Sequence, residues 1–354
     1  MSRMSAAPLP TLMVVPTGIG CEIGGYAGDA LPSARLLAAA SGCLITHPNV
    51  MNGAALYWSD SRIHYVEGYG LDRFAAGDWA LRPVRRQRIG LLLDAGIEAE
   101  LAQRQIQVAE ACRATLGLDI GPVLRSDQPL GVSLDRGPSG ASWGRLEHPD
   151  ALLRAGERLR DAGATAIAVV ARFPEDLGSD ALMSYRQGSG VDALAGAEAV
   201  ISHLLVRHLQ MPCAHAPALA PLPLDPQLDP RAAGEELGYT FLACVLVGLS
   251  RAPDLIDTSA ALTGDVHASQ IGAAVVPEGA LGGEALLACV ERGIPVISVA
   301  NPSLLSVTPA VLGLSSGVLP ASSYSEAAGL LVALREGISP AALGRPLPPL
   351  REIQ

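Results

Sequence analysis

The chain has 354 residues, 49% of them hydrophobic and 17% charged, with a formal net charge of −10. This supplies a sizeable core, excludes a disordered chain and argues against a nucleic-acid binder, whose surface must neutralise phosphates. All 25 basic residues are arginine. The absence of lysine excludes a Schiff-base lysine, a pyridoxal-phosphate anchor and a Walker-type phosphate lysine, and leaves planar guanidinium recognition of carboxylate or phosphate.

Short apolar runs alternate with longer helical patterns, which predicts an α/β, Rossmann-like fold: largely parallel sheets flanked by helices, in two lobes. In chain order, strands are expected at Thr11–Val15, Cys43–Thr46, Arg88–Leu93, Thr165–Ala171, Ala273–Val276 and Pro295–Val299. Helices are expected at Leu31–Ala40, Glu98–Leu116, Pro149–Ala162, Asp192–His208, Arg231–Leu249, Gly282–Arg292 and Ser325–Glu336. The Gly/Ser/Pro-rich stretch 126–147 reads as a linker or lid between an N-terminal lobe, 1–125, and a C-terminal lobe, 148–354. A second proline-rich stretch, 217–230, reads as a long loop. The six cysteines form no C-x-x-C pair and read as reduced cytosolic thiols. The apolar run Leu12–Val15 is too short for a signal peptide, and Tyr239–Leu249 is too short for a membrane span. A cytoplasmic protein that binds neither membrane nor nucleic acid is expected.

In parallel sheets, ligands sit beyond the carboxyl ends of the strands, so the residues just after each strand carry the candidate chemistry. The loop 16–29 contains Thr17, Gly18 and Gly20 before a helix, a setting in which backbone N–H groups can hold an anion. Its spacing is not G-x-G-x-x-G, so no nicotinamide site is assigned. Gly279, Gly282 and Gly283 form a second strand-to-helix turn of that kind, and Asn301 follows the next strand. A third Gly/Ser loop runs from Ser139 to Gly144. Each of these loops is equally well explained as a tight turn with no ligand.

His47 and Asn49 follow a strand directly and are candidates to position or protonate a substrate, with Asp94 as a candidate base. The bland alternative for His47 is a capping role satisfied by backbone. Cys213, His215, Asp265 and His267 would suit Zn²⁺ or Fe²⁺ if their two segments met; ordinary partly buried polar residues are the preferred reading, so no metal is assigned. Six of the 13 aromatic residues fall in 57–79, a pocket lining or a local mini-core. Four arginines in 82–88 form an anion site or a solvated face.

The strings at 16–29 (PTGIGCEIGGYAGD), 45–52 (ITHPNVMN), 65–69 (YVEGY), 88–97 (RIGLLLDAGI) and 213–217 (CAHAP) together resemble a family of cyanobacterial and algal-plastid proteins catalogued only as a domain of unknown function. The resemblance runs from about residue 12 to about residue 314. It implies the cytosol or stroma of a phototroph and supplies no mechanism and no catalytic residue. A shorter likeness at 279–300, to the donor half of some nucleotide-sugar glycosyltransferases, speaks to fold alone.

The resulting expectation is an enzyme acting on a small anionic or polar metabolite by hydrolysis, lyase chemistry or group transfer. The alternative is a non-catalytic metabolite-binding sensor or assembly protein. The residues identify no cofactor. A small-molecule ligand is the expected partner, and a homo-oligomer is compatible with the composition.

Overall fold

A computed structural model describes residues 7–52, 59–236, 241–314, 316–347 and 349–350. Fourteen strands are described: β1 Thr11–Met13, β2 Leu44–Thr46, β3 Ile63–Tyr65, β4 Trp79–Arg82, β5 Ile89–Leu93, β6 Ile120–Arg125 and β7 Val132–Arg136, then β8 Ser142–Leu146, β9 Ala166–Arg172, β10 Cys213–Ala218, β11 Asp254–Asp257, β12 Ala273–Pro277, β13 Val296–Val299 and β14 Val318–Ala321. The apolar runs seen in the sequence become the central strands. β1, β5, β12 and β13 are buried at every residue, as expected for parallel strands covered on both faces.

The first sheet has six parallel strands in the order β14-β13-β12-β1-β2-β3. The second has four parallel strands in the order β10-β9-β5-β6. Helices flank both, which makes the molecule α/β and Rossmann-like. Leu31–Ser41 packs against Tyr324–Arg335, and Ala99–Leu116 packs against Leu242–Leu249.

The strands do not divide at 126–147. β5 and β6 precede that stretch, β9 and β10 follow it, and all four share one sheet. The stretch itself is an antiparallel hairpin of β7 and β8 lying on the helix Ala195–Leu209. The chain builds half of the first sheet, leaves to build the whole second sheet, and returns at β12 to finish the first. It leaves and returns side by side, because β4 pairs antiparallel with β11, Leu255 opposite Leu81. A boundary placed by composition fails here because the loop richest in Gly and Ser belongs to a hairpin, whereas the true crossings are short paired strands.

Of the helix expected at Arg231–Leu249, the described residues form the helices Pro230–Glu236 and Leu242–Leu249, and residues 237–240 lie outside the described residues. Of the aromatic stretch 57–79, Tyr57 and Trp58 lie outside the described residues. Tyr65 and Phe74 are buried, and Tyr69 meets Trp79 edge-on at 5.7 Å, so the described part behaves as a local mini-core.

Candidate active-site cleft

Reversal of strand order between β1 and β12 makes a crevice where such sheets usually bind ligands. In this chain the loop 16–29 fills it. Asn301 grips Ile23 by both backbone groups, accepting from its N–H at 2.9 Å and donating to its carbonyl at 2.8 Å. Asn49 donates to the carbonyls of Val15 at 3.0 Å and Gly24 at 2.8 Å, and Asp29 accepts from the Gly24 N–H at 2.6 Å. Nε2 of buried His47 accepts from the Val15 N–H at 3.0 Å. Burial, with His203 next, lowers the His47 pKa to about 4, so the ring is neutral at pH 7. Gly18 has φ +68° and a Cβ there would stand 2.2 Å from Ser142 Oγ; half-buried Thr17 is its neighbour. A Cβ on Gly20 would meet the Gly190 carbonyl at 3.2 Å. The polar groups expected to receive a ligand are largely spent on fastening this loop.

The turn at 279–283 is engaged in the same way. Gly279, at φ +85°, leaves no room for a side chain beside the Leu305 carbonyl, and Gly282 faces Val307. Gly283 caps the helix Glu284–Glu291, whose Ala285 N–H donates to Asp72 Oδ1 at 3.0 Å. The chain's own carboxylate therefore stands where an anion was expected. Asp94 is 1% exposed and accepts three backbone N–H bonds, from Gly96 and Leu130 on Oδ1 and Arg172 on Oδ2, each at 2.9 Å. It brackets the ends of β5 and β9 and has little capacity left to act as a base.

Asp265 pairs with Arg82 at 2.8 Å and accepts from the Leu262 N–H, whereas Cys213 is buried with its Sγ 3.4 Å from the Met211 carbonyl. His267 caps a turn through Gln270. Among the described residues, no three His, Cys, Asp or Glu side chains are placed to hold a metal ion. Of the arginines in 82–88, Arg82 is bound to Asp265, Arg88 donates to the Gly121 carbonyl, and Arg85 and Arg86 are exposed.

A cavity of about 410 Å³ opens instead beyond the carboxyl ends of β9 and β10, where Ala27 and Asn52 of the first sheet's loops face the second lobe. His215, on β10, points into it. Its Nδ1 lies 2.5 Å from Ser202 Oγ, and its Nε2 lies 3.6 Å from Glu198 Oε2. Ser202 and Glu198 are four residues apart on the helix Ala195–Leu209, so they share the face turned to β10. Asp192 lines the same cavity; burial, followed by repulsion from Glu198, raises its pKa to about 7. Buried Glu235 accepts from Tyr185 Oη at 2.9 Å and from the Ala27 N–H, and desolvation keeps its carboxyl well above the usual range. Tyr185 stacks on Tyr26 at 4.4 Å, which joins the glycine loop to the cavity wall.

Behind this wall, Glu67 caps the helix Gly68–Ala76 by accepting from the Tyr69 N–H at 2.8 Å, and its other oxygen lies 3.4 Å from His203 Nε2. Burial pushes its carboxyl up to about 8. Asn52 accepts from Tyr65 Oη at 2.9 Å. Sequence reasoning picked out His215 as a minority metal ligand or as a base beside Cys213, and did not single out Asp192, Glu198, Ser202 and Glu235. The available signal was the four-residue spacing of Glu198 and Ser202 on a helix leading into an extended Cys213-Ala-His215.

The fold and cleft define a two-lobed, Rossmann-like α/β protein with a carboxylate-rich interlobe cavity. Residues 10–344 match the family described as "Protein of unknown function (DUF3326)", and the chain belongs to that family. A relative in Synechococcus sp. (strain ATCC 27144 / PCC 6301 / SAUG 1402/1), described as an uncharacterized lipoprotein, is 55% identical over 341 residues, covering 96% of this chain and 94% of the relative.

Proposed function

We propose that the chain is an enzyme acting on a small polar metabolite in this cavity, with His215 as the group that moves a proton. The observation that carries the reading is the ring of His215, which lines the cavity with Nδ1 fixed by Ser202 and Nε2 turned toward the Glu198 carboxylate at 3.6 Å. Ser202, only 1% exposed, is too buried to attack a substrate and serves to fix the ring. Glu198 stands where it stabilises an imidazolium once Nε2 takes up a proton. That arrangement serves hydrolysis, elimination or group transfer alike.

The test is incubation of a cyanobacterial small-metabolite extract with wild type and His215→Asn, followed by mass spectrometry. A metabolite consumed by wild type and spared by a folded His215→Asn is expected. Equal consumption by both proteins overturns the role of His215. Binding without consumption by wild type transfers the cavity to the alternative, a metabolite sensor.

We place the chain in the cytosol. This reading is supported by free, buried cysteines at all six positions. Among the described residues no helix is long and apolar enough to cross a membrane.

A further inference from the structure

We infer that the ligand of this cavity is an organic cation, an ammonium or guanidinium group on an apolar body, recognised by Asp192, Glu198 and Glu235. The inference rests on the cavity being the ligand site proposed above, and it replaces the anionic substrate expected from the glycine loops.

The first argument is charge. The guanidiniums nearest the cavity are already committed to other acids. Arg186 binds Glu236 at 2.8 Å and the Pro223 carbonyl, Arg172 binds Glu98 and Glu175, and Arg231 binds Asp229. Lysine is absent from the chain. Among the described residues no arginine pairs with Asp192, Glu198 or Glu235, which line one cavity. The second argument is hydrogen bonding. Among the described residues no donor lies within hydrogen-bond distance of the Glu198 carboxylate, and its nearest cationic partner is His215 Nε2 at 3.6 Å. A carboxylate that lines a cavity with no protein donor on it is free to pair with a cation that enters.

The third argument is the wall. Leu182, Leu194, Leu219, Leu222 and Phe241 line the same space, and the lining is largely apolar. A hydrated inorganic ion gains nothing from such a surface, and among the described residues no three His, Cys, Asp or Glu side chains are placed to replace its water. An amine or guanidine with a hydrocarbon body matches both features. A phosphate or carboxylate would meet the Glu198 carboxylate, whereas a cation there favours the ionised forms of Asp192 and Glu235 as well.

The test is a matched series of hexylamine, hexan-1-ol and hexanoate, which share one tail and differ in the head. Each is titrated calorimetrically into wild type, Glu198→Gln and the double variant Asp192→Asn/Glu198→Gln. The expected result is binding of hexylamine at least tenfold tighter than hexanoate. The double variant should lose at least tenfold toward hexylamine while its affinity for hexan-1-ol holds, which shows that the cavity is still formed. Hexanoate binding as tightly as hexylamine overturns the cation inference and leaves the cavity as a ligand site. Hexylamine binding that both variants retain overturns it too, since the amine is then held elsewhere on an acidic protein. If none of the three binds, the cation inference fails. The extract experiment, which uses none of these probes, then decides separately whether the cavity is a site at all.

Discussion

At the scale of single residues, the molecule spends its polar side chains in two distinct ways. His47, Asn49, Asp94 and Asn301 accept from or donate to backbone groups of loops far away in the chain, and each is thereby a fastener. Asp192 and Glu67 are instead carboxyls that burial drives toward the protonated form. Glu67 shows the consequence most simply. Its carboxyl is 6% exposed and titrates near 8 in the folded chain, against 4.5 for the free group. The folded state therefore holds this proton more tightly than the unfolded state. The stabilisation is full below about pH 4.5 and is lost as the pH rises toward 8. Glu67→Gln keeps an acceptor for the Tyr69 N–H and never ionises. Its stability relative to wild type should rise between pH 5 and pH 9, by up to a few kcal/mol at about 1.4 kcal/mol per unit. Urea unfolding of both proteins at the two pH values checks this, and a difference independent of pH would show that Glu67 is ionised in the native state.

At the scale of elements, the long apolar runs were legible because a strand buried on both faces has almost no choice of composition. β3 was not, since three residues with His64 between Ile63 and Tyr65 make neither a long apolar run nor a readable period. The candidate site residues read from the sequence coincide with loop fasteners for a related reason. A Gly-, Asn- or His-rich strand end is needed equally to hold a ligand and to hold a loop, and local sequence does not separate the two uses. The hairpin of β7 and β8 makes the point energetically. Glycines on both surfaces permit its close approach to a helix: a Cβ on Gly196 of the helix would stand 2.2 Å from Trp143 Cα, and one on Gly144 of the hairpin would stand 2.4 Å from Ala197 Cβ. Gly196→Ala must push the hairpin away and should cost about 1–3 kcal/mol. Gly329→Ala, on the exposed face of the helix Tyr324–Arg335 with nothing within 4 Å, should instead stabilise by about 0.5–1 kcal/mol. Opposite shifts in urea midpoint are expected. A Gly196→Ala protein as stable as wild type would mean that the hairpin is not seated on the helix.

For the whole molecule, the decisive fact is that the first sheet is assembled from both ends of the chain. β1 is an inner strand of it, with Leu12 opposite Ala274 of β12 on one side and Ile45 of β2 on the other. This bears on the lipoprotein description of the Synechococcus relative. A bacterial lipoprotein carries its lipid on a cysteine that becomes the N-terminus when the preceding segment is cut away. Cys21 is the first cysteine of this chain, and cutting before it would remove Thr11–Met13. The sheet would lose a strand buried at every residue and leave the facing edges of β12 and β2 unpaired. The thiol itself is 3% exposed, and burial pushes its pKa up to about 12, so it is a poor nucleophile where it sits. Cys21 is therefore expected to remain an internal, unmodified residue. Mass spectrometry of the protein expressed in a cyanobacterium should recover a continuous peptide that spans β1 and Cys21 with a free thiol. Cys21→Ala should partition between membrane and soluble fractions as wild type does. A protein that begins at an acylated Cys21 would overturn both the cytosolic reading and the place of β1 in the sheet.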